Sequence, residues 1–334
     1  MNTVTEQAQA KLNLSLDVLG KRSDGYHDLR MVMQSVELCD AVTVEPRPAG
    51  GFVCESNFGF LPTDGDNLAA RAAQVFFAAA GSLPVIANQS ADWCGDPTSA
   101  RQLRNGIPTP VCALARNDRT GNVTPGAAIR LDKRIPVGAG MAGGSSDAAA
   151  VLRALNRMYG NPFTLEELER LGEQVGSDVP YCVRGGTRLA EGRGELLTEL
   201  PPLPDCAFAI CKPDFSIRTP ELFVRIDART RNARPDTEGL RAALAAGDLR
   251  GVARHVFNVF EDVLSPSQSR EITAIKTALL DRGALGAAMT GTGSAVFGIF
   301  HDFNAAKAAA EDLKTPDRAC FAAKPTGMIW ERKA

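Results

Sequence analysis

The stretch Pro136-Val137-Gly138-Ala139-Gly140-Met141-Ala142-Gly143-Gly144-Ser145-Ser146 decides how this chain is read. Glycines let a backbone bend tightly and approach a ligand with no Cβ in the way. The stretch runs straight into a helix expected over residues 146–159, with Val151, Leu152, Leu155, Met158 and Tyr159 on one stripe. The free N–H groups and dipole of a helix N-terminus attract anions. Ser145 and Ser146 add hydroxyls suited to a phosphate or its magnesium ion. A triphosphate is the guest this chemistry describes. Residues 138–143 also match G-x-G-x-x-G. A dinucleotide fold, however, needs a strand after the helix and an acidic residue about 20 positions on. Here a second helix follows directly, with a capping box at Thr164-Leu165-Glu166-Glu167. A Walker loop needs a lysine after its glycines, and none follows this run. A plain flexible turn rarely carries two serines and a well-patterned helix.

The rest of the chain bounds the answer. Its 334 residues are enough for about two domains. With 44% hydrophobic and 23% charged residues it has ample material for a core. Its 37 Lys+Arg against 39 Asp+Glu argue against coating nucleic acid or an anionic membrane, so neither is expected as a partner. Apolar runs such as residues 75–80 fall short of the roughly 20 residues needed to cross a bilayer. The first residues lack a basic region followed by an apolar run, so a cytoplasmic protein is expected. Eight cysteines without a C-x-x-C pair, and only His27, His255 and His301, argue for reduced thiols rather than zinc.

Residues 8–18 alternate Ala8, Ala10, Leu12, Leu14, Leu16 and Val18 with mostly polar residues, which predicts a strand with one buried face and Lys11 and Asn13 on the other. Residues 20–25 are turn chemistry, and strands are expected over 29–38 and 41–45. Asp64-Gly65-Asp66-Asn67 caps a helix over 68–80. Residues 88–124 lack periodicity and read as a long surface insertion. A strand over 127–131 precedes the glycine stretch, and the second helix runs from 165 towards Gly176. Pro201-Pro202-Leu203-Pro204 marks a domain boundary, giving units 1–200 and 201–334. Beyond it, helices are expected near 238–246, 249–263, 269–282 and 304–314, and strands near 295–300, 319–323 and 327–331.

The glycine stretch resembles the phosphate loop of the GHMP kinase superfamily, P-x-x-x-G-L-x-S-S-x-A, with Met141 standing for Leu. Ala142 stands where the closest branch has Gly, so its φ angle decides whether the loop is altered. Lys11-Leu12-Asn13-Leu14, followed by Gly20-Lys21-Arg22-Ser23-Asp24-Gly25-Tyr26-His27-Asp28-Leu29, resembles the branch that phosphorylates a cytidine-diphosphate-linked methylerythritol. That resemblance implies an α+β, two-domain GHMP kinase fold: a ribosomal-protein-like N-terminal domain and a ferredoxin-like C-terminal domain.

It also implies ATP as co-substrate, with Mg2+ whose protein ligands it leaves unassigned. ATP phosphates would lie on Pro136, Val137, Gly138, Ala139, Gly140, Met141, Ala142, Gly143, Gly144, Ser145 and Ser146, with adenine near Asn67 and Lys133. Asp178, in Gly176-Ser177-Asp178-Val179-Pro180, would take the proton of the acceptor's 2-hydroxyl, assisted by Lys11. Asn13, Tyr26, His27, Phe223, Thr290 and Gly291 would meet the acceptor. Tyr26 offers a face for cytosine, Phe223 a second one, His27 a hydrogen bond to the pyrimidine edge, and Lys21 and Arg22 charge for the diphosphate. A kinase acting on homoserine, mevalonate or a sugar, and a non-catalytic nucleotide-binding protein, stay open as alternatives. The protein is expected to act as a monomer or homodimer.

Overall fold

The computed structural model describes residues 3–47, 50–81, 126–229 and 233–329. The insertion read at 88–124, with Trp93, Cys94 and Cys112, lies outside the described residues. The first part runs β1 (Val4–Lys21), β2 (His27–Pro46), β3 (Gly51–Ser56), α1 (Leu68–Gly81), β4 (Gly126–Asp132), α2 (Gly143–Met158), α3 (Leu165–Glu173), α4 (Val179–Arg184), β5 (Thr187–Gly192) and β6 (Leu196–Glu199). The second runs β7 (Ala207–Pro213), α5 (Thr219–Asp227), α6 (Thr237–Ala245), α7 (Leu249–Arg254), β8 (Phe257–Asn258), α8 (Pro266–Asp281), β9 (Gly286–Met289), β10 (Val296–Phe300), α9 (Phe303–Leu313) and β11 (Arg318–Ala323).

β1 and β2 form a long antiparallel hairpin in register from Val4↔Val44 to Lys21↔His27. The two strands expected at 29–38 and 41–45 are one strand, and Asp40 between them is buried and hydrogen-bonded. The sheet order is β3-β4-β2-β1-β8, with β5 on the first half of β2 and β6 on β5.

The simple two-faced reading of residues 8–18 needs correction. Gln9, Lys11, Asn13, Ser15 and Asp17 are buried along with the apolar set. Register shifts fall between Gln9 and Lys11 and between Asn13 and Ser15. A one-residue slip exchanges the faces of a strand. Ala8, Leu16 and Val18 accordingly join the core under α1 and α2, whereas Ala10, Leu12 and Leu14 join a second core with Phe208, Ile210 and Phe297. The bulged segment turns Lys11 into the same cleft as Leu16 and Met31.

The second sheet is antiparallel, in the order β11-β7-β10-β9. Ile275 and Leu279 of α8 and Ala306 and Ala310 of α9 cover Ala209, Cys211 and Val296. The helix expected near 249–263 breaks at His255. Phe257–Asn258 instead pairs with β1 in parallel, and a 3-10 helix over Val259–Val263 follows. This two-residue strand stitches the second half of the chain into the first sheet. No strand forms at 327–329; Met328 makes a single bridge to Gly185.

Candidate active site

A cleft of about 870 Å³ lies where the two sheets meet. The glycine loop with Lys11 and Asp178 forms one end, and Tyr26, His27 and Phe223 line the other. The loop's glycines are dictated by backbone contact. Gly140 has φ +74°, and a Cβ there would fall 2.2 Å from the Thr290 carbonyl oxygen. A Cβ on Gly291 would fall 2.6 Å from the Gly140 carbonyl oxygen. The segments are also bonded: Ser294 N–H donates to Gly138 C=O at 3.3 Å, and Ala295 N–H to Ala139 C=O at 3.2 Å. Lys11 N–H, from β1, donates to Met141 C=O at 3.2 Å. Asn258 holds the partner segment by donating its side-chain amide to the Met289 and Gly291 carbonyls. Ala142 has φ 57° and ψ 31°, the left-handed conformation that favours glycine. Ala142 is the residue before α2, so the loop keeps its shape with an alanine at a cost in strain.

Asp178 stands at the N-cap position of the short helix α4 without a side-chain capping bond, and Pro180 in the first turn suits the helix start. Its Oδ2 lies 3.7 Å from Lys11 Nζ, which also donates to Asn13 Oδ1 at 2.5 Å. Lys11 is 4% exposed, while the Asp178 side chain keeps 30% of its surface. The cation is thus fixed from behind and the carboxylate is open to a ligand. Asn13 N–H in turn donates to Thr290 Oγ1 at 3.0 Å, tying the pair to the second sheet.

Below the loop, Lys133 bonds both Asp40 and Asp147, and Asp40 accepts the backbone N–H groups of Arg134 and Ile135. Two buried carboxylates share one lysine. Burial, above all, pushes the Asp147 carboxyl up to about 7, against the pull of Lys133 and with a further push from Asp40. Its Oδ1 has no hydrogen-bond partner.

At the far end the His27 ring stacks on Phe223, centroids 4.5 Å apart and planes 24° apart. His27 Nε2 meets Asp227 Oδ1 at 2.8 Å, and this bond, with Lys21 beside it, holds the Asp227 carboxyl below its usual range. Tyr26 stands 58% exposed, with the Arg193 guanidinium 5.3 Å from its ring centroid.

The models of the GHMP kinases N terminal domain and the GHMP kinases C terminal match residues 109–186 and 240–318. A 4-diphosphocytidyl-2-C-methyl-D-erythritol kinase of Lachnoclostridium phytofermentans is 37% identical over 94% of each chain. One of Pelotomaculum thermopropionicum is 38% identical over 94% of this chain and 95% of its own. The chain belongs to the 4-diphosphocytidyl-2-C-methyl-D-erythritol kinase family of GHMP kinases. A crystal structure of 4-(cytidine 5'-diphospho)-2C-methyl-D-erythritol kinase superposes with a TM-score of 0.72 at 29% identity, covering 97% of this chain and 100% of that one. Homoserine kinase from Cytophaga hutchinsonii shares the fold, with a TM-score of 0.68 at 17% identity over 98% of this chain and 96% of its own.

In this member of the kinase family the cleft gathers Lys11, Asp178, Asn67, Lys133, residues 136–145, Tyr26, His27, Phe223 and Gly291. Ser146, Asn13 and Thr290 stand behind the wall. Ser146 Oγ donates to the Gln9 carbonyl at 2.6 Å rather than facing a phosphate. Asn67 also caps α1, its Oδ1 accepting Ala69 N–H at 2.9 Å. Arg22 turns to Asp24 and Asp28, away from the place expected for it at the diphosphate; Lys21 stays on the cleft. Sequence reading passed over Asp40 and Asp227, and it took Arg193 only as part of the family-like stretch 185–195, with no role. Asp40 left a faint signal, as an acid between Cys39 and the apolar run Ala41-Val42.

Proposed function

We propose that this chain transfers the γ-phosphoryl group of ATP to the 2-hydroxyl of 4-diphosphocytidyl-2-C-methyl-D-erythritol, a step of non-mevalonate isoprenoid synthesis. The observation that carries the proposal is one cleft holding a glycine loop at a helix N-terminus, a lysine–aspartate pair and an exposed aromatic. Residues 1–200 supply the loop; residues 201–334 supply Phe223 and the Gly291 segment.

The triphosphate lies along the loop, its negative charge against the N-terminus of α2. Asp178 accepts the hydroxyl proton as the oxygen attacks the γ-phosphorus and the bond from that phosphorus to the β–γ bridging oxygen breaks, releasing ADP; Lys11 steadies the developing alkoxide. Phosphoryl transfer needs little covalent help from a protein, so positioning and charge supply most of the rate. Among the described residues no cluster of three or more His, Cys, Asp or Glu suits a metal ion. Mg2+ takes one or two protein oxygens and otherwise phosphate and water. The Ser145 hydroxyl, on the cleft wall at the start of α2, fits that need. Bound there with the nucleotide, Mg2+ would neutralise phosphate charge.

No described helix is long and apolar enough to cross a membrane. We read the protein as cytoplasmic, and a single copy supplies every group named, whether as monomer or homodimer. A coupled ADP-release assay tests the reading with 4-diphosphocytidyl-2-C-methyl-D-erythritol, homoserine and mevalonate in parallel. Turnover with the cytidine compound alone is expected. Turnover with another acceptor, or ATP binding without turnover on any, overturns it.

A further inference from the structure

The geometry points to Arg193 as the residue that grips the acceptor's diphosphate, a role that rests on the acceptor proposed above. In such a molecule two phosphates separate the base from the reacting alcohol. With the base at Tyr26 and the alcohol at Asp178, a cation must face the cleft between those two points.

Lys11, Lys21, Lys133 and Arg193 are the lysines and arginines on the cleft wall among the described residues. Lys133 is enclosed by two carboxylates at 5% exposure, and Lys11 is occupied by Asn13 and Asp178. Lys21 lies 3.4 Å from Asp227 with its side chain 61% exposed. Arg193 is carried on a turn that runs between Tyr26 and Asp178. Its guanidinium lies over the Tyr26 ring. The next residue lies beside Asp178: a Cβ on Gly194 would fall 3.9 Å from Asp178 Oδ1 and 3.7 Å from the Ser177 carbonyl oxygen.

The side chain is also aimed. Its Nη2 donates to Glu173 Oε1 at 2.5 Å, and its Nε lies 3.8 Å from Glu195 Oε1, beyond hydrogen-bond reach. Glu195 Oε2 accepts the Arg193 backbone N–H at 2.7 Å and so fixes the turn between β5 and β6. A guanidinium has five N–H donors in a planar fork that matches phosphate. With the side chain 31% exposed, the fork is partly dry yet open to a ligand.

Calorimetric titration of the full chain with cytidine, CMP and CDP, together with acceptor kinetics, tests the assignment on Arg193→Gln and Arg193→Lys. Arg193→Gln is expected to weaken CDP roughly 10- to 100-fold, the size of a charge-assisted hydrogen bond. It should leave cytidine affinity and the KM for ATP unchanged, and raise the acceptor KM by a similar factor to the CDP loss. Arg193→Lys should recover part of that loss, because charge returns without the fork. Unchanged CDP affinity in Arg193→Gln overturns the assignment, as does an equal loss for cytidine. A wild-type chain that binds neither cytidine nor CDP overturns the acceptor reading itself, and this role with it.

Discussion

At the glycine-loop end of the cleft Lys11, Lys133 and Asp147 are at most 5% exposed, and each is paired with an opposite charge before any ligand arrives. At the aromatic end Tyr26 is 58% exposed and Val224 on the neighbouring wall 70%. One end is finished, with its charges buried and paired; the other keeps open apolar surface at Tyr26 and Val224. The difference follows from what each must do. Phosphoryl transfer gains from charges fixed in a dry place, where no reorganisation is needed during reaction. Stacking on a base needs an aromatic face that stays bare until the base covers it.

Breaking the finished end should cost most. Asp178→Asn should lower turnover by about 10²- to 10⁴-fold, the usual weight of a positioned base, while calorimetry shows ATP binding nearly intact. Wild-type-like turnover would remove Asp178 from the chemistry. Asp40→Ala leaves Lys133 and the backbone of 134–135 without their buried acceptor. A loss of about 3–5 kcal/mol is expected in urea unfolding; a loss below 1 kcal/mol would show that the pairing is incidental.

The same network gives a pH signature. Unfolded, Asp147 releases its proton near pH 4; folded, near 7. Between those values the folded state holds the extra proton, so this residue makes the unfolding free energy fall as pH rises. Urea unfolding across that range should show a shallower fall in Asp147→Asn than in wild type.

The open end should yield smaller effects. Tyr26→Ala should raise the acceptor KM by the equivalent of about 1–3 kcal/mol, with thermal stability unchanged because the ring is mostly in solvent. An unchanged KM would argue against stacking. Smallest of all, Ala142→Gly should raise stability by about 1 kcal/mol, since glycine takes φ 57° without strain. A fall in melting temperature would show that the alanine methyl has a packing role.

The finished end was also the more legible one. The glycine loop, the helix after it and the capping box at Thr164 are local patterns, and all three form. Family signatures carried Lys11 and Asp178, residues far apart in sequence that the fold brings to 3.7 Å. What escaped was set by distant pairing. Phe257–Asn258 reads as helix until it lies beside Ser15 and Leu16. The face exchange along β1 comes from register shifts against β2, which no periodicity within 8–18 reveals. Arg193 looks like any turn arginine until the hairpin carrying Tyr26 is folded over it.

The central claim is geometric, so a crystal structure with a non-hydrolysable ATP analogue and 4-diphosphocytidyl-2-C-methyl-D-erythritol tests it most directly. The account predicts the γ-phosphorus at the loop of residues 138–146 and the 2-hydroxyl oxygen about 3–3.5 Å from it, hydrogen-bonded to Asp178, with cytosine on Tyr26. A triphosphate bound away from that loop, or an acceptor hydroxyl out of reach of Asp178, would contradict it.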